Sequence, residues 1–119
     1  MSDSGRTWLN ILLTTTNGSI LHTLYKPDNT TAIGPISAIY IGHLTDVSIH
    51  IYNTSSDTIK LWGTNESSPS AITNAIQLGT DITADGIVVV EDGPMYLFIE
   101  FDTDGGGDPW AIVTGRQLT

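Results

Sequence analysis

The densest set of groups able to bind a hard cation lies at residues 102–108, Asp-Thr-Asp-Gly-Gly-Gly-Asp. Asp102, Asp104 and Asp108 could offer carboxylate oxygens to Ca²⁺. The spacing departs from the EF-hand: Gly106 stands where an Asp or Asn belongs, the acidic twelfth position is missing, and no helix flanks the loop. A hairpin loop in which Asp and Gly serve turn geometry accounts for the same residues, so these three aspartates are weak candidates and no metal or other cofactor is expected. Nucleophilic catalysis would need a His beside a Ser or Thr and oriented by a carboxylate. His22 and His50 fall on the polar phase of expected strands, where an imidazole faces water, and His43 follows Gly42 in a turn. There is no Gly-x-Ser-x-Gly elbow. The glycine run at 105–107 opens no helix and sits among aspartates, whose field repels phosphate. No residue is assigned a catalytic role, and the chain reads as non-enzymatic.

Aromatic residues make the better case for a ligand or partner. Trp8, Trp62 and Trp110, with Tyr52 and Tyr96, could form a flat platform for a sugar ring or anchor a protein interface. Strand phase leaves Trp62 and Tyr52 exposed and puts Trp8 and Trp110 at strand starts. Trp62, Tyr52 and Trp8 are therefore the candidate interface residues.

Composition narrows the partners. Thirteen Asp and Glu against four Lys and Arg give a formal net charge of −9, and such a field repels nucleic-acid backbones and anionic lipid. Arg6, Lys26, Lys60 and Arg116 are scattered and form no basic patch. Charged residues are only 14% of the chain, against about 25% in an average soluble domain. The surface must then be covered largely by Ser, Thr, Asn and Gly, which lose little when desolvated against a partner, whereas stripping water from an ion costs far more. With no cysteine, folding rests on apolar burial without disulfides. No targeting signal or apolar run of membrane-spanning length is seen, so neither secretion nor membrane association is expected. The Asn-x-Ser/Thr triplets at Asn17, Asn29, Asn53 and Asn65 read as turns.

The elements that must position these side chains are short strands. Residues 46–53, Asp-Val-Ser-Ile-His-Ile-Tyr-Asn, alternate Val47, Ile49 and Ile51 with Ser48, His50 and Tyr52, the period of a half-buried strand. Further strands are expected at 8–15, 19–25, 36–41, 58–64, 87–91, 95–102 and 110–114, while the apolar spacing of 71–78 fits either a short helix turn or a strand, with strand preferred. Asn17-Gly18 should turn the first strand back on the second, the loop 54–57 should join a hairpin, and 92–94 should join another. Eight or nine short strands and no helix predict an all-β fold, a two-sheet antiparallel sandwich of jelly-roll or Ig-like type. Its expected core includes Ile11, Leu13, Val47, Ile49, Ile51, Ile59, Leu61, Val88, Leu97, Ile99 and Ile112, with Met95 and Phe101 also inward and Tyr96, Phe98 and Glu100 facing away. The length suits one domain, residues 7–119, behind a mobile arm at 1–6.

Residues 47–65 (Val-Ser-Ile-His-Ile-Tyr-Asn through Ile-Lys-Leu-Trp-Gly-Thr-Asn), 83–87 (Thr-Ala-Asp-Gly-Ile) and 93–99 (Gly-Pro-Met-Tyr-Leu-Phe-Ile) resemble the small β-sandwich virion proteins that decorate or cement tailed-bacteriophage capsids. The resemblance covers a little over half the chain and is a pattern of strands and glycines. It implies a structural protein made in the host cytoplasm and placed on the capsid surface, a homo-oligomer, commonly a trimer, that binds the major capsid protein or another virion protein. The alternative expectation is a carbohydrate-binding or receptor-recognition module of a tail or fibre that uses Trp62.

Overall fold

The computed structural model describes residues 6–14, 17–90 and 94–117. They form ten strands and no helix: β1 (Arg6–Leu12), β2 (His22–Tyr25), β3 (Ala32–Ile36), β4 (Ile39–Tyr40), β5 (Leu44–Tyr52), β6 (Thr58–Thr64), β7 (Ile76–Gln77), β8 (Gly86–Val90), β9 (Tyr96–Thr103) and β10 (Trp110–Gln117). The count exceeds the eight or nine expected because the short β3 and β4 are separate strands, split at Ser37 and Ala38. Arg6 already belongs to β1. The rest of the expected arm, Thr15 at the end of the expected first strand, the turn residue Thr16, and Glu91 to Gly93 lie outside the described residues.

All pairing is antiparallel, in one sheet of order β3-β2-β1-β10-β5-β8 and a second of order β4-β9-β6-β7. With the β2–β3 hairpin set aside, the pairs nest: β1 with β10, β4 with β9, β5 with β8, β6 with β7. Successive nested pairs alternate between the sheets, as though one long hairpin had been rolled up. That is a jelly roll, with an extra hairpin widening one sheet.

Consecutive strands therefore often cross between sheets. The loop after β5 has hairpin length, yet β5 pairs with β10 and β8 while β6 pairs with β9 and β7. β8 and β9, expected as a hairpin, likewise lie in different sheets. The Asn17-Gly18 turn lets β2 pair with β1 as expected, but Ser19 bridges to Phe101 in the other sheet. Of the stretch 71–78 only Ile76–Gln77 is strand.

The core lies between the two inner faces. Ile11, Leu13, Ile39, Ile41, Val47, Ile49, Ile51, Ile59, Leu61, Leu97, Ile99, Phe101, Ala111 and Val113 form one buried cluster, the apolar burial on which a chain without disulfides depends. Val88 is only partly buried against it because β8 is an edge strand. Ile112 is not in the core. Ala111 and Val113 take the inward phase of β10, so Ile112 stands on the outer face beside Asn10 and His50. Met95 precedes β9 and is 39% exposed rather than in the core. Phe98 faces away from the core as its phase requires, yet it is fully buried on that outer face, opposite Trp62.

Candidate binding face

Register places one straight row across five strands on the outer face of the six-stranded sheet: Tyr25, Asn10, Ile112, His50, Ile87. Beside it run Trp8, Thr114, Ser48 and Val89, and on the other side Thr23, Leu12, Trp110 and Tyr52. None of these thirteen residues is Asp, Glu, Lys or Arg. The nearest ion pair, Arg116 with Asp46 at 3.7 Å, sits at the rim where a β-bulge interrupts β10. On a chain of net charge −9 this is a continuous uncharged surface.

Local contacts hold the face in place. Tyr25 meets Trp110 edge-on with ring centroids 5.1 Å apart, and His50 leans on Tyr52 at 5.2 Å. The Ser48 and Thr114 hydroxyls are 3.0 Å apart across the β5–β10 pair. The loop 26–31 folds back over one side. Its shape is set by Asp28, whose carboxylate accepts from the amides of Thr30 and Thr31 and from the Thr31 hydroxyl. These bonds to the charged form hold the Asp28 carboxyl below its ordinary value. Asn29, with φ of 60°, then accepts from the Asn10 side-chain amide at 2.7 Å and donates to the Tyr52 hydroxyl at 3.3 Å. Pro27 of the same loop closes a cleft of about 350 Å³ with Trp8, Asn10 and Ile112. Trp8 is 47% exposed at its mouth.

Of the sequence-derived interface candidates, Trp8 and Tyr52 therefore share this face and Trp62 does not. Trp62 lies on the outer face of the four-stranded sheet, half-buried, where its indole N–H donates to Glu100 at 2.9 Å. That face is charged: Lys60 sits opposite Glu100 and reaches Asp102 at 4.0 Å. At its margin Tyr40 stacks on His43 at 4.9 Å and contacts Tyr96 at 5.3 Å. Sequence reading missed Ile112 and Asn10 as surface components. The polar Asn10 between Leu9 and Ile11 was the available signal for the outward phase of β1.

The aspartates at 102–108 are not gathered into a site. Asp102 faces Lys60 and accepts from the Thr103 hydroxyl, Asp104 accepts from the Gly106 amide, and Asp108 uses its backbone carbonyl to accept from Asn53. Among the described residues no three His, Asp or Glu side chains come together as a metal-binding group. The loop is organised around Asp57 instead, a fully buried carboxylate that accepts from the amides of Gly105 at 2.5 Å, Ser55 at 3.2 Å and Gly107 at 3.3 Å. A Cβ at Gly105 would strike the Ser55–Ser56 backbone, and one at Gly107 would strike the Asp57 carboxylate itself. The glycines are there for close approach.

The histidines lie apart. His43 and His50 are exposed, whereas His22, expected to face water, is 3% exposed. The chain between β1 and β2 visits the other sheet at Ser19, which carries His22 inward on its return. Its Nδ1 accepts from the Thr14 amide and its Nε2–H donates to the Ile99 carbonyl. Burial pushes its pKa down. With both ring nitrogens engaged by the backbone, His22 is a structural joint. Among the described residues no carboxylate is a hydrogen-bond partner of His22.

No protein-family model matches the chain, and neither a curated protein nor a solved structure is detectably similar to it.

Proposed function

We propose that this chain is a non-catalytic structural protein of a bacteriophage virion and that it attaches to the shell through the uncharged outer face of its six-stranded sheet. The observation that carries this reading is the contrast between a net charge of −9 and a face of thirteen uncharged residues that includes Trp8, Tyr25, Tyr52 and Trp110. Aromatic and hydroxyl groups can be covered by a partner without stripping water from ions, so the contact gains apolar burial at little desolvation cost. The sequence resemblance to capsid-decorating proteins supplies the class of partner. A protein of this kind stabilises a shell by mass action, since its contacts exist only with assembled subunits.

The test is co-sedimentation with shells assembled from the major capsid protein of the same virion. Wild type is expected to sediment with the shells, Trp8→Ala to lose most binding, and Lys60→Ala on the opposite face to keep it. Failure of the wild type to bind would overturn the reading.

The cleft at Trp8 favours a second reading, a carbohydrate-binding module, because an indole face beside the Asn10 amide and Pro27 can receive a sugar ring. Glycan-array binding lost in Trp8→Ala, together with indifference to shells, would select it. The Trp62 indole, tied to Glu100, is the poorer platform.

A further inference from the structure

Each sheet of a sandwich has two edges, and proteins normally blunt them with short strands, Pro, charge or bulges. Among the described residues three of the four edges are blunted. β4 and β7 are two residues long, and β3 carries Pro35 and an irregular register with β2. β8 is the exception: Gly86-Ile87-Val88-Val89-Val90 is an edge strand of five residues with no Pro and no charge. Ile87 and Val89 are 67% and 64% exposed. On the inner side of the same edge a groove of about 380 Å³ lies open, lined by Val88, Val90, Leu78 and Pro94.

We infer that two copies of this chain pair edge to edge through β8, antiparallel about a two-fold axis at Val88, joining their six-stranded sheets into one. In that register Gly86 of one copy faces Val90 of the other, Ile87 faces Val89, and Val88 faces itself. The numbers in every pair sum to an even value, so backbone groups that point outward on one copy meet outward-pointing groups on the other. The two Ile87 and two Val89 side chains form one apolar patch on the outer face. The two Val88 side chains lie side by side over the inner grooves, and the smallest residue of the strand is matched with a branched one.

The match of the strand with its own register favours a second copy as the occupant, and charge and size set the behaviour of the pair. Copies of net charge −9 repel one another, and among the described residues β8 is the one edge strand neither blunted nor itself charged, with Asp85 before it and Glu91 and Asp92 after it in sequence adding to the repulsion. Asp85, at its start, has its carboxylate engaged by the amides of Asn53 and Thr54 and the Thr54 hydroxyl. Salt screens the repulsion, so pairing strengthens as salt is raised. A basic partner on the same edge would show the opposite dependence. A five-residue strand pair is smaller than the roughly 1,200–2,000 Å² of stable complexes, so the association is reversible and needs concentrated protein. An isologous contact closes at two copies, which separates it from the trimer that the resemblance implies.

The chain has no cysteine, which permits a clean cross-linking test. Cα atoms directly opposite across an antiparallel pair are about 4.5–5.5 Å apart, within disulfide range. Mild oxidation of concentrated Val88→Cys is expected to give a covalent dimer, while Ile76→Cys, on the edge of the other sheet and 71% exposed, is not. Sedimentation of wild type should show the mass rising from 12.8 kDa towards twice that with concentration and with salt, and Val89→Lys should remain monomeric. A wild type that stays monomeric, a Val89→Lys that associates like wild type, cross-linking of Ile76→Cys equal to that of Val88→Cys, or association weakened by salt would each overturn the inference. It is read separately from shell attachment: sedimentation of the chain alone reads the pairing, and co-sedimentation of Trp8→Ala with shells reads the docking face, to which Ile87 and Val89 also belong.

Discussion

His22 in the six-stranded sheet donates from Nε2 to the carbonyl of Ile99 in the four-stranded sheet at 2.6 Å. The bond requires a neutral imidazole, because Nδ1 must keep a lone pair for the Thr14 amide. Burial lowers the folded-state pKa below the ordinary 6.5, so as pH falls the unfolded chain takes up the proton first. The stability due to this group is complete above 6.5 and is lost as pH falls from there towards the lower folded-state value. Urea midpoints measured between pH 5 and 8 should decline on the acid side, and His22→Gln should flatten that part of the profile. A wild-type profile already flat there would refute the assignment.

Asp28 and Asp85 add a separate acid transition. Both carboxyls are held below their ordinary 3.8 by hydrogen bonds, Asp28 by the Thr30 and Thr31 amides and Asp85 by the hydroxyl and amide of Thr54. Depressed carboxyls contribute stability that is present above the unfolded value and lost as pH falls through the folded one. Asp85→Asn should make the stability loss below pH 3.8 shallower while leaving the His22 segment unchanged, as read by circular dichroism.

Asp57→Ala removes the buried acceptor for the Ser55 amide in the turn between β5 and β6 and for the Gly105 and Gly107 amides in the loop between β9 and β10. Unsatisfied buried donors cost about 1–3 kcal/mol each before water enters, so a total loss of about 2–4 kcal/mol is expected in chemical denaturation. Asp57→Asn, which keeps one acceptor oxygen, should lose less. Added Ca²⁺ should rescue neither.

Two isoleucines that face each other's strands should separate in cost. Ile49→Ala opens a cavity in the sealed core and should cost about 2–5 kcal/mol. Ile112→Ala lies half-buried on the outer face and should cost about 1 kcal/mol or less. Equal losses would contradict the phase of β10.

The facing of most strands was legible because alternation is a local property. In residues 46–53 and 58–64 the period alone puts Val47, Ile49, Ile51, Ile59 and Leu61 inward, and all five are buried. Strand partnership was less legible, since a hydrophobic phase says which face is buried and not which neighbour is hydrogen-bonded. The loop 54–57 has the length and composition of a hairpin. It crosses between sheets because Asp57 turns inward to meet Gly105 and Gly107, a contact between segments far apart in sequence. Ile112 failed for a related reason: in Trp-Ala-Ile-Val-Thr-Gly the largest aliphatic residue draws the eye, but Ala111, Val113 and Gly115 take the side where the sheets leave little room. The binding face assembles residues of five strands, so Trp8 and Tyr52 were visible singly while their company was not.

The nesting of strand pairs also governs how the chain reaches its native state. Leu12 is in register with Trp110, so the pair at the centre of the larger sheet joins segments far apart in the sequence. Closing so long a loop spends chain entropy before any contact repays it, and proteins dominated by such distant pairings fold on the order of milliseconds to seconds. During that interval β5 waits without the neighbour it will have in β10, and synthesis on the ribosome must have passed β10 before the middle of that sheet can exist at all.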